Sequence, residues 1–317
     1  MSNKTEQLTN YSTTDRNLWR NTRRTLLGTE FKSTMKGVKR RRRWDFTIIL
    51  ARYAYRLMGM LHIQKFLEKA ALRPRMRCEI VSFANLPESF SGYRILHLTD
   101  FHLDCLPEIV DPIVELVKDL SFDMVVMTGD YQDNYKLHPA KNKDLLQRLV
   151  DSFKETDTII ATLGNHDDDR VVEVFEEMGV RPLLNETVKI TRGDESIFIT
   201  GCDDVSYYFT EKSIDELNNT PPGFKILAVH SPELYHHAAK ANYDFYIAGH
   251  THGGQVCLPG GIPLLVQGKI PRSMVKGMWK HESLVGFTSH GLGTSGLPIR
   301  FSCPPEVSLI TLVKSDE

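Results

Sequence analysis

Five short blocks of aspartate, histidine and glycine punctuate this chain, and each follows directly on a run of β-forming residues. Asp100-Phe101-His102 follows Arg94–Thr99, and Gly129-Asp130-Tyr131-Gln132-Asp133 follows Asp123–Thr128. Gly164-Asn165-His166-Asp167 follows Thr158–Leu163, His230 ends Lys225–Val229, and Gly249-His250-Thr251-His252-Gly253-Gly254 closes Phe245–Ala248. These runs, with Ile197–Thr200, alternate with helix-like segments at Glu108–Leu120, Asp144–Phe153, Val171–Met178 and Pro232–Lys240. Such alternation predicts an α/β domain with a largely buried sheet. Open α/β sheets bind their ligands beyond the C-terminal strand ends, where all five blocks fall. One such block is more often a turn or a surface histidine; five in order argue for a built site.

The blocks contain five of the twelve histidines, together with carboxylates and one amide oxygen. A mixed nitrogen and oxygen donor set without thiolate suits Mn, Fe, Zn or a similar divalent ion. There are too many donors for one four-coordinate ion. They suit two ions about 3.5–4 Å apart with a carboxylate between them, an arrangement that activates water and grips phosphoryl oxygens.

Charge is divided unevenly along the chain. Residues 1–77 hold 19 of the 39 Lys and Arg but 5 of the 40 Asp and Glu, +14 against −15 for the remainder. A basic arm over 1–78 ahead of an acidic body over 79–317 predicts an anionic partner for the arm, membrane or nucleic acid. Lys39–Arg43 is a polybasic run, and Trp44–Ile63 is the one stretch long enough to consider as a membrane span. Arg52 and Arg56 would each cost about 2.5–3.5 kcal/mol at the bilayer centre, so no span is expected. On a helix Phe46, Leu50, Tyr53, Leu57, Met60 and Leu61 share one face, which predicts an amphipathic helix, either packed on the body or lying in the membrane interface. Arg23-Arg24-Thr25-Leu26-Leu27 has the outline of an export signal, but polar and basic residues follow it, so export is not expected. Cys78, Cys105, Cys202, Cys257 and Cys303 are scattered without a CxxC pair and predict reduced thiols in a cytosolic compartment.

Over roughly residues 80–313 the five ordered blocks resemble the calcineurin-like metallophosphoesterase superfamily. The resemblance implies a four-layer αββα sandwich with a two-metal centre at one edge. On this chain Asp100, His102 and His252 would hold the first metal, Asp130 would bridge, and Asn165, His230 and His250 would complete the second. His166 matches the catalytic histidine, which contacts the phosphoryl group or protonates the leaving oxygen, and Asp133 matches the acid that orients it. Asn134-Tyr135 and Asp167 depart from the GDxxDRG and GNHE blocks of protein Ser/Thr phosphatases. The segments Leu86–Ile95, His250–Gln255 and Gly291–Phe301 are instead similar to the YkuE/YaeI-type phosphodiesterases. That group includes a membrane-associated UDP-2,3-diacylglucosamine pyrophosphatase of lipid A synthesis.

The similarity implies two divalent ions, manganese first with Fe, Zn or Mg as alternatives. It also implies cleavage of UDP-2,3-diacylglucosamine to UMP and a lipid monosaccharide 1-phosphate. The expected location is cytoplasmic, peripheral at the inner face of the cell membrane, with the arm on an anionic surface and no nucleic acid. A soluble nucleotide or nucleic-acid phosphodiesterase and a non-catalytic binding module are the alternatives. Arg300, beside the glycine-containing run Gly291–Gly296, is expected either to meet a phosphate or to end a structural turn.

Overall fold

The computed structural model describes residues 4–7, 13–36, 55, 59, 63–153, 156 and 158–316. Lys39–Arg43 and the apolar face expected between Trp44 and Ile63 lie outside the described residues. Two sheets form the body. The first runs in the order β2 (Arg75–Phe83), β15 (Glu306–Lys314), β3 (Tyr93–Leu98), β4 (Met124–Thr128), β5 (Ile159–Thr162) and β6 (Arg181–Pro182). Strands β3 to β6 are parallel, while β15 runs antiparallel to β3 and parallel to β2. The second sheet runs β1 (Lys4–Gln7), β7 (Glu186–Arg192), β8 (Glu195–Gly201), β9 (Phe224–Ala228), β10 (Phe245–Ala248), β14 (Leu284–Thr288) and β13 (Gly277–His281). Its centre, β8 to β10 and β14, is parallel. A small hairpin pairs β11 (Cys257–Leu258) with β12 (Ile262–Pro263).

Side chains alternate across a strand, so a sheet covered on both faces needs apolar residues at consecutive positions. Strand β4 meets that demand: all five of its residues are buried. Val125 and Met127 face one core, with Leu96 and Leu98 of β3; Met124 and Val126 face another, with Ile197, Ile226 and Ile247 of the second sheet. The first core is closed by α3 (Val110–Val117), α4 (Lys143–Asp151) and α5 (Val171–Glu177). A third core joins Leu227 and Tyr246 to Leu217 of α6 (Glu211–Asn219) and Ala238 of α7 (Tyr235–Lys240). The α/β class expected from the alternation is the class found.

Two features differ from the expected arm and body. The boundary at 78/79 falls inside β2, whose residues pair in register with Glu306 to Lys314. Part of the arm is also packed on the body: α1 (Thr13–Lys36) puts Trp19 into the first core, and α2 (Ile63–Ala71) buries Leu67 and Ala71. Along α1, Arg16, Arg20 and Arg24 stand four residues apart and pair with Glu176, Glu173 and Asp169 on or beside α5. Exposed pairs of this kind contribute about 0–1 kcal/mol each. Burying a large apolar side chain is worth about 1.5–3 kcal/mol, so Trp19 anchors the helix and the arginine ladder sets its register. Among the described residues no helix is long and apolar enough to cross a membrane.

Candidate metal centre

The loops leaving β3, β4, β5, β9 and β10 converge beyond their C-terminal ends, each bringing one of the five blocks. The turns are tight. Asp100, His102, Asp130, His250 and His252 all have φ between 43° and 70°, a region that non-glycine residues rarely occupy. Such residues cost about 1–3 kcal/mol each and persist where the surroundings over-determine them. Space is equally constrained, since a Cβ on Gly164 would collide with the Asp130 carboxylate, and one on Gly249 with Asp100.

Three groups of donors result. In the first, Asp100, His102 and His252 offer atoms that all lie within 4.8 Å of one another; in the second, Asp130, His230 and His250 do the same; and His102 also belongs to a third, with Asp133 and His166. Nε2 of His102 is 3.1 Å from Nε2 of His252, which is itself 3.4 Å from Asp100 Oδ1. Nε2 of His230 is 3.2 Å from both His250 Nδ1 and Asp130 Oδ2. Asp130 Oδ2 also lies 3.5 Å from His102 Nε2, so this carboxylate stands between the first two groups.

These contacts fit divalent ions for a reason internal to the site. His230 Nδ1 donates to the Thr128 carbonyl at 2.7 Å, so in neutral His230 the Nε2 lone pair points at a carboxylate oxygen and another imidazole nitrogen. Converging lone pairs repel unless a cation lies among them. Two nitrogens bound tetrahedrally at about 2.0–2.1 Å from one ion would be about 3.3 Å apart, close to the separations found. Asn165 Oδ1 is buried without a hydrogen-bond partner, as an oxygen meant for an ion would be. Protonation tells the same story. Burial lowers the His230 pKa, but the adjoining Asp130 carboxylate overrides it and raises the value to about 10. Burial raises Asp130, yet His230 and His166 hold it well below the usual carboxylate range. Positive charge beside the Asp130 carboxylate is therefore favourable, whereas burial keeps His250 and His252 neutral.

Of the expected metal-binding residues, Asp100, His102, Asp130, His230, His250 and His252 fall in these donor groups, and Asn165 stands between Gly164 and His166, both packed against Asp130. His166 lies beside them, its backbone N–H donating to Asp130 Oδ1 at 2.9 Å. The role expected of Asp133 changes. It meets His166 Nδ1 through its backbone carbonyl, at 2.6 Å, while its carboxylate lies 3.4 Å from His102 Nδ1 and accepts from Ser295 Oγ at 3.0 Å. Arg300 changes more. It is 1% exposed, and its guanidinium donates to the carbonyls of His290, Gly291 and Gly293, with Nη2 3.4 Å from His252 Nδ1. Its donors are spent inside the protein, so it supports His252 from behind and does not face a substrate. Two N–H groups of the preceding turn are spent as well, Leu292 and Gly293 donating to the carbonyls of Thr99 and Asp100.

Three acidic residues support the site in roles that the sequence did not assign. The Asp167 carboxylate accepts from the backbone N–H groups of Asp130, Tyr131 and Gly164 at 2.7–2.8 Å, tying two ligand loops together. Asp104 accepts from the N–H groups of Asp133 and Asn134. Asp203, just past β8, is buried and accepts from Trp19 Nε1 at 2.8 Å. The strand-end position that marked the five blocks also marks Asp203, but no histidine accompanies it.

Residues 93–254 match the family profile described as calcineurin-like phosphoesterase. "Uncharacterized metallophosphoesterase YkoQ" of Bacillus subtilis (strain 168) is 32% identical over 226 residues, 68% of this chain and 81% of that protein. "Uncharacterized metallophosphoesterase YkuE" of the same organism is 28% identical over 243 residues, 72% of this chain and 81% of that protein. The solved Haemophilus influenzae NAD nucleotidase (NadN) superposes with a TM-score of 0.42 at 13% identity, over 63% of this chain and 45% of that one. Through the ordered blocks, their convergence on one candidate metal-binding cluster, the family profile and the YkoQ relative, the chain belongs to the calcineurin-like phosphoesterase family of metal-dependent phosphoester hydrolases.

Proposed function

We propose that this protein hydrolyses a phosphodiester or pyrophosphate whose substrate carries an apolar tail, at an anionic membrane surface. UDP-2,3-diacylglucosamine, cleaved to UMP and a lipid monosaccharide 1-phosphate, is the substrate to test first. The observation that carries the tail is the hairpin following His252. Leu258, Ile262, Leu264 and Leu265 are each 47–54% exposed, and Phe301, bridged to Val256, is 40% exposed. Exposed apolar clusters of this sort mark binding surfaces. This one begins six residues after His252, and exposed Lys269 and Arg272 follow a few residues further along the chain.

The cluster would hold two divalent ions, manganese first, which when bound would supply Lewis acidity and lower the pKa of water. The protein's own part is positional. His166 keeps its Nδ1 proton on the Asp133 carbonyl, which leaves Nε2 to carry a proton to the leaving oxygen as the phosphorus–oxygen bond breaks. Asp167 fixes the loops bearing Asp130 and Asn165 relative to each other, so the donors need not reorganise during turnover. Purified full-length protein with Mn²⁺ should be offered UDP-2,3-diacylglucosamine and UDP-glucosamine, with products identified by mass. The proposal expects UMP from the diacylated nucleotide in large preference. Equal cleavage of both would remove the tail, and a soluble nucleotide phosphodiesterase would then be the better reading.

A further inference from the structure

Asn165 and His166 sit on a loop whose ends are held from opposite sides. The Asp167 carboxylate binds it to the body. On the other side is Arg23 of α1, 3% exposed and about 140 residues away in sequence. Its Nη2 donates to the carbonyls of Gly164 at 2.7 Å and Asp167 at 3.0 Å, the two residues that bracket Asn165-His166. Its Nη1 pairs with the buried Asp203 carboxylate, and the guanidinium carbon lies 3.7 Å from the centre of the Tyr208 ring. Trp19, one turn earlier, donates to the other oxygen of Asp203.

We propose that Arg23 is a positioning residue for the second ion site: it holds the Gly164–Asp167 loop so that Asn165 Oδ1 and the His166 imidazole face the centre. Helix α1 is thereby a working part of the active site. The chemistry selects arginine. A planar fork satisfies two carbonyls with one nitrogen and a carboxylate with another while stacking on a ring, which a lysine ammonium cannot do together. Neighbouring Arg16, Arg20 and Arg24 make only peripheral pairs with α5 and Asp169, so contact with the ligand loop is particular to Arg23.

This inference rests on the two-ion reading, and one experiment separates the two. Full-length protein freed of metal by chelation is titrated with Mn²⁺ by calorimetry, and kcat and KM are measured on bis(p-nitrophenyl) phosphate. For Arg23→Ala we expect one of the two dissociation constants, that of the ion held with Asn165, to rise about 10–100-fold, the range seen when groups behind metal ligands are removed. We expect kcat to fall, with KM and the other ion's constant unchanged. Arg23→Lys should fall between wild type and Arg23→Ala, and Arg16→Ala and Arg20→Ala should match wild type. If Arg23→Ala does not fold, Trp19→Phe, which loses one bond to Asp203, should shift the same ion in the same direction by less. A lower Tm with both ion constants and kcat at wild-type values overturns the proposal, as does equal weakening of both ions. Wild-type protein that takes up one ion contradicts the two-ion reading, and the variant-to-wild-type ratios then still decide for or against Arg23.

Discussion

The two halves of the metal cluster are built differently. Asp100, His102 and His252 are buried and sit on loops tied to each other and to the sheets, with Arg300 behind His252 joining the turn at Gly291–Gly293. Asp130, His230 and His250 are similarly enclosed, but Asn165 and His166 are only partly buried. Their loop depends on Asp167 from within the body and on Arg23 from a helix near the start of the chain. One half is a product of the sheets. The other half is finished by a peripheral helix, and it also carries the histidine assigned to proton transfer.

The most damaging change should be the one that ignores this difference. Asp130 stands between the halves, so Asp130→Ala should lose both ions and reduce phosphodiester hydrolysis to background, read by metal analysis and turnover. Retention of one ion at wild-type affinity would show that the halves are independent. His166→Ala should keep both ions yet slow kcat by about 10²–10⁴-fold, the usual range for positioned acid–base groups. Loss of an ion in that variant would make His166 a ligand.

Supports come next. Asp167→Ala strands three backbone N–H groups, at about 1–3 kcal/mol for each one left buried and unpaired, and should weaken the half containing Asn165 more than the other. Arg300→Gln should do the reverse, weakening the ion held by His252. Comparing the two ion constants in these two variants tests whether each support serves its own half.

The smallest effect concerns the floor beneath both halves. His97 donates to or accepts from Thr128 Oγ1 at 2.8 Å, and the Thr128 carbonyl receives His230. Burial lowers the His97 pKa to about 3 from an ordinary 6.5. A group depressed on folding contributes stability above its unfolded pKa, here above pH 6.5, and loses it as pH falls towards 3. His97→Gln should therefore flatten the decline of Tm between pH 6.5 and 3, with little change at pH 8.

The strand ends were readable because a buried parallel strand is an apolar run and its ligands must follow it. Phe245–Ala248 is found with the expected bounds, and the other strands leading into the blocks agree within a residue or two. The docking of α1 was not readable. Its partners Asp169, Glu173 and Glu176 lie 145–160 residues away, and charge totals taken over separate segments conceal that their opposite signs meet. Part of the basic charge assigned to an external anionic surface is thus answered inside the molecule. The boundary at 78/79 cut β2 because Arg75 and Arg77 on an edge strand read as arm; charged side chains there suit an edge strand. Block order could place Asp133 near His166, but could not distinguish its carbonyl from its carboxylate. Arg300 presents the same difficulty, since an arginine in such a motif suits phosphate and carbonyl oxygens alike, and only burial separates them.

Ion stoichiometry tests the central claim most directly. Chelator-treated wild-type protein titrated with Mn²⁺ should bind two ions per chain with separable affinities, and hydrolysis of bis(p-nitrophenyl) phosphate should return as the second site fills. Full hydrolysis after only one ion has bound, or in the chelated protein, would contradict the account.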